Sequence, residues 1–178
     1  MTRVLDWLRI PGTVLSAVCF GFLLFIHVNS IDYAVQGTEI PYFLDITLFP
    51  IWILAIVVMS KRQRELDQPV SGFLSRIKRF YQAMLGEAPI WVVVVVGGVY
   101  LYTMVFGFIF SVKYGQLGVP DIVDGKHVLN NHGSITELTE AEYLDHLSQH
   151  IKFRTISLML FYSAGFGILF PRQKPADF

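Results

Sequence analysis

Cysteine is almost missing from this chain, and charge is missing from the stretches where a transport mechanism would need it. Cys19 is the single cysteine, so neither an intramolecular disulfide nor a cysteine-based metal site can form. It falls inside the first apolar run and reads as a small buried hydrophobe. No H-E-x-x-H, nucleophile elbow, phosphate loop or dinucleotide fingerprint occurs, which removes the usual motif-borne enzyme classes. The formal charge sums to zero, and no nucleic-acid partner is expected. The long apolar runs carry no charge in their middles, whereas proton relays, ion pathways and voltage sensors normally need ionisable groups there.

What the chain does have is apolar length. Hydrophobic residues make up 53% of 178 and aromatics 15%. The mean hydropathy of +0.52 is that of a chain largely surrounded by lipid. Four segments suit a hydrocarbon layer of about 30 Å at about 1.5 Å per residue: 10–28, 43–60, 90–112 and 155–170. The second contains Pro50, which either kinks it or marks where its regular part begins, and it places Asp45 at the interface. The third opens on a run of five valines, which lipid turns helical because the backbone must satisfy itself there. The first is too long for a signal h-region, and no small-x-small cleavage pattern follows it, so it is expected to remain as a span.

Lys and Arg set the orientation. Between spans one and two there are none, whereas Lys61, Arg62, Arg64, Arg76, Lys78 and Arg79 lie between spans two and three. Arg3 and Arg9 precede the first span, and Arg172 and Lys174 follow the last. Only Lys113, Lys126, Lys152 and Arg154 fall between spans three and four. The expected fold is an all-α transmembrane four-helix bundle forming one domain, with both termini in the cytoplasm. In the inner loop, residues 71–85 repeat Phe73, Leu74, Ile77, Phe80, Tyr81, Met84 and Leu85 at helical spacing. This predicts an amphipathic helix in the inner interface, its cations near anionic headgroups; a docking helix for a cytoplasmic partner is the alternative.

Small residues four apart let helices approach closely in lipid. Thr103, Gly107, Ser111 and Gly115 form one line on span three, and Ser163 with Gly167 a shorter one on span four. Gly12 with Ser16 and Ala17 with Gly21 do the same on span one. Packing within the bundle is the plain reading, and a homodimer uses the same spacing. His27, near the outer end of span one, reads as a hydrogen-bonded interfacial histidine rather than a ligand.

The outer loop, 113–150, is too long to be a mere connector. It predicts a small hairpin, with Val128 and Leu129 on one arm, Asn130 to Gly133 turning, and Ile135 and Leu138 on the other. A helix follows, opened by Thr139 and Glu142 at capping-box spacing and running through Tyr143, Leu144, Leu147 and Ile151 into span four. The loop is acidic: Asp121, Asp124, Glu137, Glu140, Glu142 and Asp145, with Tyr143, are the candidate partner-binding residues, suited to a cationic partner. Four histidines, His127, His132, His146 and His150, are also here. The last two stand at i and i+4 on one helix face, a spacing that serves zinc when a third ligand joins; the plainer reading is solvated histidines, with no cofactor.

The stretch from Asp124 to Tyr162 resembles a pattern found in uncharacterised bacterial four-span membrane proteins. Gly125, Lys126, Val128, Leu129, Asn131, His132, Gly133, Glu142, Tyr143, Arg154, Phe161 and Tyr162 carry the match, and His127 departs from it, standing where that pattern has an aromatic. The resemblance brings no activity and points to the outer loop as the site. The expectation is a non-enzymatic inner-membrane protein in contact with lipid and with a protein partner, either an immunity protein that neutralises a toxin or an accessory subunit of an envelope complex. A metal-dependent membrane enzyme or small-ligand binder using the loop histidines is the alternative.

Overall fold

A computed structural model describes residues 2–37, 40–66, 72–86, 88–114 and 118–171. Gly115 of the small-residue line and the C-terminal cations Arg172 and Lys174 lie outside these residues. In chain order the elements are α1 (Thr2–Val28), α2 (Ser30–Val35), α3 (Phe43–Glu65), α4 (Phe73–Leu85), α5 (Ile90–Lys113), β1 (Val119–Val123), β2 (Lys126–Asn131), β3 (Ser134–Glu137) and α6 (Glu140–Leu169).

Three helices are long and apolar enough to cross a membrane: Trp7–Val28 within α1, Phe43–Glu65 and Ile90–Lys113. Their apolar surface is mostly turned outward, and Phe25, Phe49 and Phe108 are each more than half exposed. In water, such a belt would forgo about 25 cal/mol for every Å² left unburied; against hydrocarbon it costs nothing. These helices mark the chain as a membrane protein.

α6 has a different composition because it has different neighbours. From Lys152 onward it carries Lys152, Arg154, Thr155, Ser157, Ser163, Gly165 and Gly167 among its apolar residues, and it packs against α1, α2, α3, α4 and α5. A central helix meets protein on most faces, so small residues serve it better than large apolar ones. A Cβ on Gly165 would stand 2.8 Å from Ile51 and 3.6 Å from Ser16, one on Gly167 2.8 Å from Leu85, and one on Gly12 2.9 Å from Leu169. Each of these glycines marks a close approach. Gly21, Gly97 and Gly98 face open space.

The partners fix relative depth. His27 meets Thr155, Ser16 faces Gly165 and Gly12 faces Leu169, so α1 runs antiparallel to α6 over the whole stretch from Thr155 to Leu169. Asp45 pairs with Arg154 at 2.6 Å, and Ile51 lies against Gly165, so α3 runs parallel to it. The core between them holds Leu23, Ile26, Leu44, Ile51, Ala55, Ile156, Met159 and Tyr162. Fully buried Tyr162 places its hydroxyl 2.7 Å from that of Thr47 and donates to the Leu44 carbonyl.

Two arginines counted above for orientation also close helix ends. Buried Arg9 donates to the carbonyls of Leu169 (3.3 Å) and Phe170, the last of α6. Buried Arg62 donates to the carbonyls of Ala83 (3.3 Å) and Met84 (3.0 Å), the last of α4. Both satisfy carbonyls that a helix terminus leaves without intrahelical donors, and both put a cation at the negative end of a helix dipole.

Candidate functional site

The segment between α5 and α6 folds as a three-stranded antiparallel sheet in the order β1-β2-β3, seated on the first turns of α6. The expected hairpin is β2 with β3, joined through His132 and Gly133, both at positive φ, and Asn130 Oδ1 accepts the Gly133 N–H at 3.0 Å. β1 was not anticipated. It pairs with β2 from Val119↔Asn130 to Val123↔Lys126 across Asp124-Gly125, whose φ values of 50° and 77° suit a two-residue primed turn. Asp-Gly directly after Ile122-Val123 was the available signal. β1 is entered through Gly118 at φ 103°, where a Cβ would stand 2.6 Å from the Asn130 carbonyl oxygen. Only glycine fits there.

The helix start is as its spacing predicted. Thr139 Oγ1 accepts the Glu142 N–H (3.3 Å) and Glu142 Oε2 accepts the Thr139 N–H (2.9 Å), a complete capping box. The Thr139 N–H and hydroxyl hold the Glu142 carboxyl below its ordinary range. The His127 ring stacks on Tyr143 with centroids 4.4 Å apart and planes 13° from parallel, tying β2 to α6. Val128 and Leu129, on opposite faces of β2, are both buried.

The seven candidate partner-binding residues therefore divide by what each already does. Glu142 is the cap, Tyr143 the stacking partner, Glu137 is paired with Lys126, and Asp145 accepts from the Tyr114 hydroxyl at 3.3 Å. Asp121 accepts only the neighbouring Ile122 N–H at 2.8 Å. Asp121, Asp124 and Glu140 are exposed and have no countercharge among the described residues. Val119 and Ile135, on the same sheet face as Asp121, are each more than half exposed, as is Ile122 on the opposite face. Val119 and Ile135 flank Asn130 in one cross-strand row.

The four histidines take three separate places. His127 lies on Tyr143 and His132 is exposed in its turn. His146 and His150 turn together toward the C-terminal end of α5, edge-on to Tyr114 (5.3 Å, 85°) and Phe110 (5.2 Å, 83°). Nδ1 of His146 and Nε2 of His150 are buried without a hydrogen-bond partner among the described residues. Burial lowers the His150 pKa from its ordinary 6.5, against a raising hydrogen bond with the Gly118 backbone. Among the described residues no three His, Cys, Asp or Glu side chains are gathered to hold a metal ion.

The small-residue candidates differ in what they meet. Thr103 is buried on α5 and donates back to the Val99 carbonyl at 2.8 Å, while Gly107 lies 3.9 Å from the Phe153 ring, measured from an added Cβ. Ser163 is buried and Gly167 is tight against α4 and α5, whereas Ser111 is exposed. His27 is hydrogen-bonded through both ring nitrogens, 2.9 Å from the Thr155 hydroxyl and 2.9 Å from the Tyr102 hydroxyl. It is the point where α1, α5 and α6 meet, a partnership that its sequence position alone does not reveal. Compared with known proteins, the chain matches no family model, no curated protein and no solved structure.

Proposed function

We propose that this is a four-span bacterial inner-membrane protein, with both termini cytoplasmic, that works without catalysis by holding a cationic protein at its outer sheet and helix. An immunity protein facing an incoming toxin and an accessory subunit of an envelope complex are the two roles that fit. The fourth crossing is α6, supported by its antiparallel match with α1 from Thr155 to Leu169. The observation that carries the functional reading is Asp121, exposed without countercharge on the sheet face that also exposes Val119 and Ile135, with Asp124 exposed and uncountered at the adjoining turn and Glu140 at the start of α6. Acidic side chains around apolar ones make a surface that a basic partner complements, chiefly in its rate of encounter.

The test is co-purification in mild detergent, followed by association kinetics with the captured partner. Asp121, Asp124 and Glu140 all changed to Lys should slow association on the order of 10-fold at low salt and blunt its salt dependence, leaving insertion intact. Recognition within the bilayer would instead be lost in Gly107→Leu; normal binding by the triple reversal together with loss in Gly107→Leu sinks the proposal. The unpartnered nitrogens of His146 and His150 favour a second reading, a small-ligand or metal site with a donor from outside the chain. Stoichiometric zinc surviving dialysis, and lost when both histidines become Ala, would favour it.

A further inference from the structure

We infer that α4 is a recognition surface for anionic phospholipid, with two of its border cations assigned to headgroups and two nearby arginines assigned to holding the helix in place. This goes beyond the outer-loop reading and concerns the opposite end of the molecule.

Met84 and Leu85, at the end of α4, pack against the bundle, but the apolar side chains before them have little in the protein to cover them. Ala83 is the only buried residue of the helix. Phe73 is 76% and Leu74 79% exposed, and Ile77, Phe80 and Tyr81 are exposed as well. Phe73, Arg76, Ile77, Phe80 and Tyr81 border an open groove. At about 100° per residue, Phe80, Phe73, Met84, Ile77, Tyr81 and Leu74 fill an arc of about 120°, with Arg76 just beyond one edge and Lys78 just beyond the other. Ala83 and Arg79 lie on a different side, the one that meets the bundle.

The contacts of α4 fix its level. Arg62 from α3 holds the Ala83 and Met84 carbonyls, Arg79 donates to the Gln63 carbonyl at 3.0 Å, and Leu85 rests on Gly167 near the end of α6. α4 is therefore fastened where the apolar surface of α3 gives way to Lys61, Arg62 and Arg64, which is the edge of the hydrocarbon. An apolar arc at that depth continues the lipid-facing surface of α3 and α5. Arg76 and Lys78, both exposed, flank it as long cationic side chains do when their stems lie on acyl chains and their heads reach phosphates. The occupant that meets both the arc and its cationic borders is an anionic bilayer surface. A soluble acidic protein would meet the cations but leave the aromatic arc at the wrong depth.

The test uses the full chain with Cys19→Ser, carrying an environment-sensitive fluorophore on Leu74→Cys or, as the opposite-side control, on Ser75→Cys. It is reconstituted in vesicles of phosphatidylcholine alone or with a minority of phosphatidylglycerol, and quenched by lipids brominated at a shallow acyl position. The Leu74 label should be quenched strongly and the Ser75 label weakly, and phosphatidylglycerol should increase the difference. Arg76→Gln with Lys78→Gln should lower the ratio of lipid-bound to detached α4 on the order of 30-fold, from the contribution of each cation near an anionic surface, and remove the phosphatidylglycerol dependence. Equal quenching at both positions overturns the proposal. So does a Leu74 label that ignores phosphatidylglycerol, or one shielded only when a cytoplasmic extract is added, which would make α4 a protein-docking helix. Unchanged tryptophan emission from Trp7, Trp52 and Trp91 in the double variant shows that the fold is retained.

Discussion

Replacing Arg9 by Lys separates two jobs that the sequence merges. Lys keeps the positive charge that biases the amino end toward the cytoplasm but cannot reproduce the guanidinium fork that reaches both the Leu169 and Phe170 carbonyls. A hydrogen bond to a charged group contributes roughly 1.5–3 kcal/mol. An ammonium on the shorter stem keeps at most one of the two, and the favourable charge at the end of the α6 dipole is retained. The expected loss is therefore about 2 kcal/mol, a large share of a total stability of roughly 5–15 kcal/mol. It would be read from reversible unfolding in mixed micelles followed by tryptophan fluorescence, with Trp7 two residues from the substitution. Orientation, checked by labelling, should not change. A Lys variant as stable as the parent would mean that the fork does not close α6, and the assignment of Arg9 to that helix end would fall. An inverted orientation in the Lys variant would refute the division of roles from the other side.

Gly165→Ala should cost roughly 1–3 kcal/mol by overpacking against branched Ile51, whereas Gly98→Ala, facing open space, should be neutral or gain up to about 1 kcal/mol of helix propensity; the same unfolding titration compares them. Because burial depresses the His150 pKa, its contribution to stability is present above the unfolded value near 6.5 and is lost as pH falls from there through the folded value. Amide exchange in β1 and the outer turns of α6 should accelerate on acidification across that window, and His150→Phe should flatten the response; equal pH dependence in both proteins would refute the cause. Cysteines at Gly37 and Gly125 should react with an impermeant reagent in intact cells while one at Gln68, outside the described residues, should not, and labelling at Gln68 alone would invert the topology.

Apolar length and periodicity made the long helices readable. The three long apolar helices, the amphipathic stretch that became Phe73–Leu85, and the Thr139 capping box all rest on local rules, and local rules survive in a sequence. What was not readable depends on neighbours. Arg9 and Arg62 looked like orientation signals because nothing in a sequence says which distant carbonyls a guanidinium will reach. The acidic residues looked equivalent until Glu142, Glu137 and Asp145 proved to be occupied within the module, leaving Asp121, Asp124 and Glu140. β1 was overlooked because its five residues include Pro120 and Asp121, which weaken a strand pattern. The Asp124-Gly125 turn that creates it is the cue that deserved more weight than the strand residues did. α2, six residues long, is too short for periodicity to distinguish from a loop.

The way α6 is held bears on how an outer contact can act. It runs without interruption from Glu140, where Thr139 and Glu142 cap it, to Leu169, where Arg9 closes it. No proline interrupts it, and glycine alone does not make it a hinge when Gly165 and Gly167 are wedged against Ile51 and Leu85 at distances that leave no room for a methyl group. Sliding by one turn, about 5.4 Å, would drive larger side chains into those contacts and break the Asp45 pair with Arg154 and the His27 link to Thr155. Packed interfaces of this kind do not deform continuously. A partner captured by the outer sheet would therefore meet a fixed platform, and the consequence of capture would come from occupying the partner's surface rather than from a signal sent through α6. Partner binding should accordingly leave accessibility at the inner end unchanged: a cysteine at Ser75 should label at the same rate with the outer module occupied or empty, and a several-fold change on occupation would show that α6 moves.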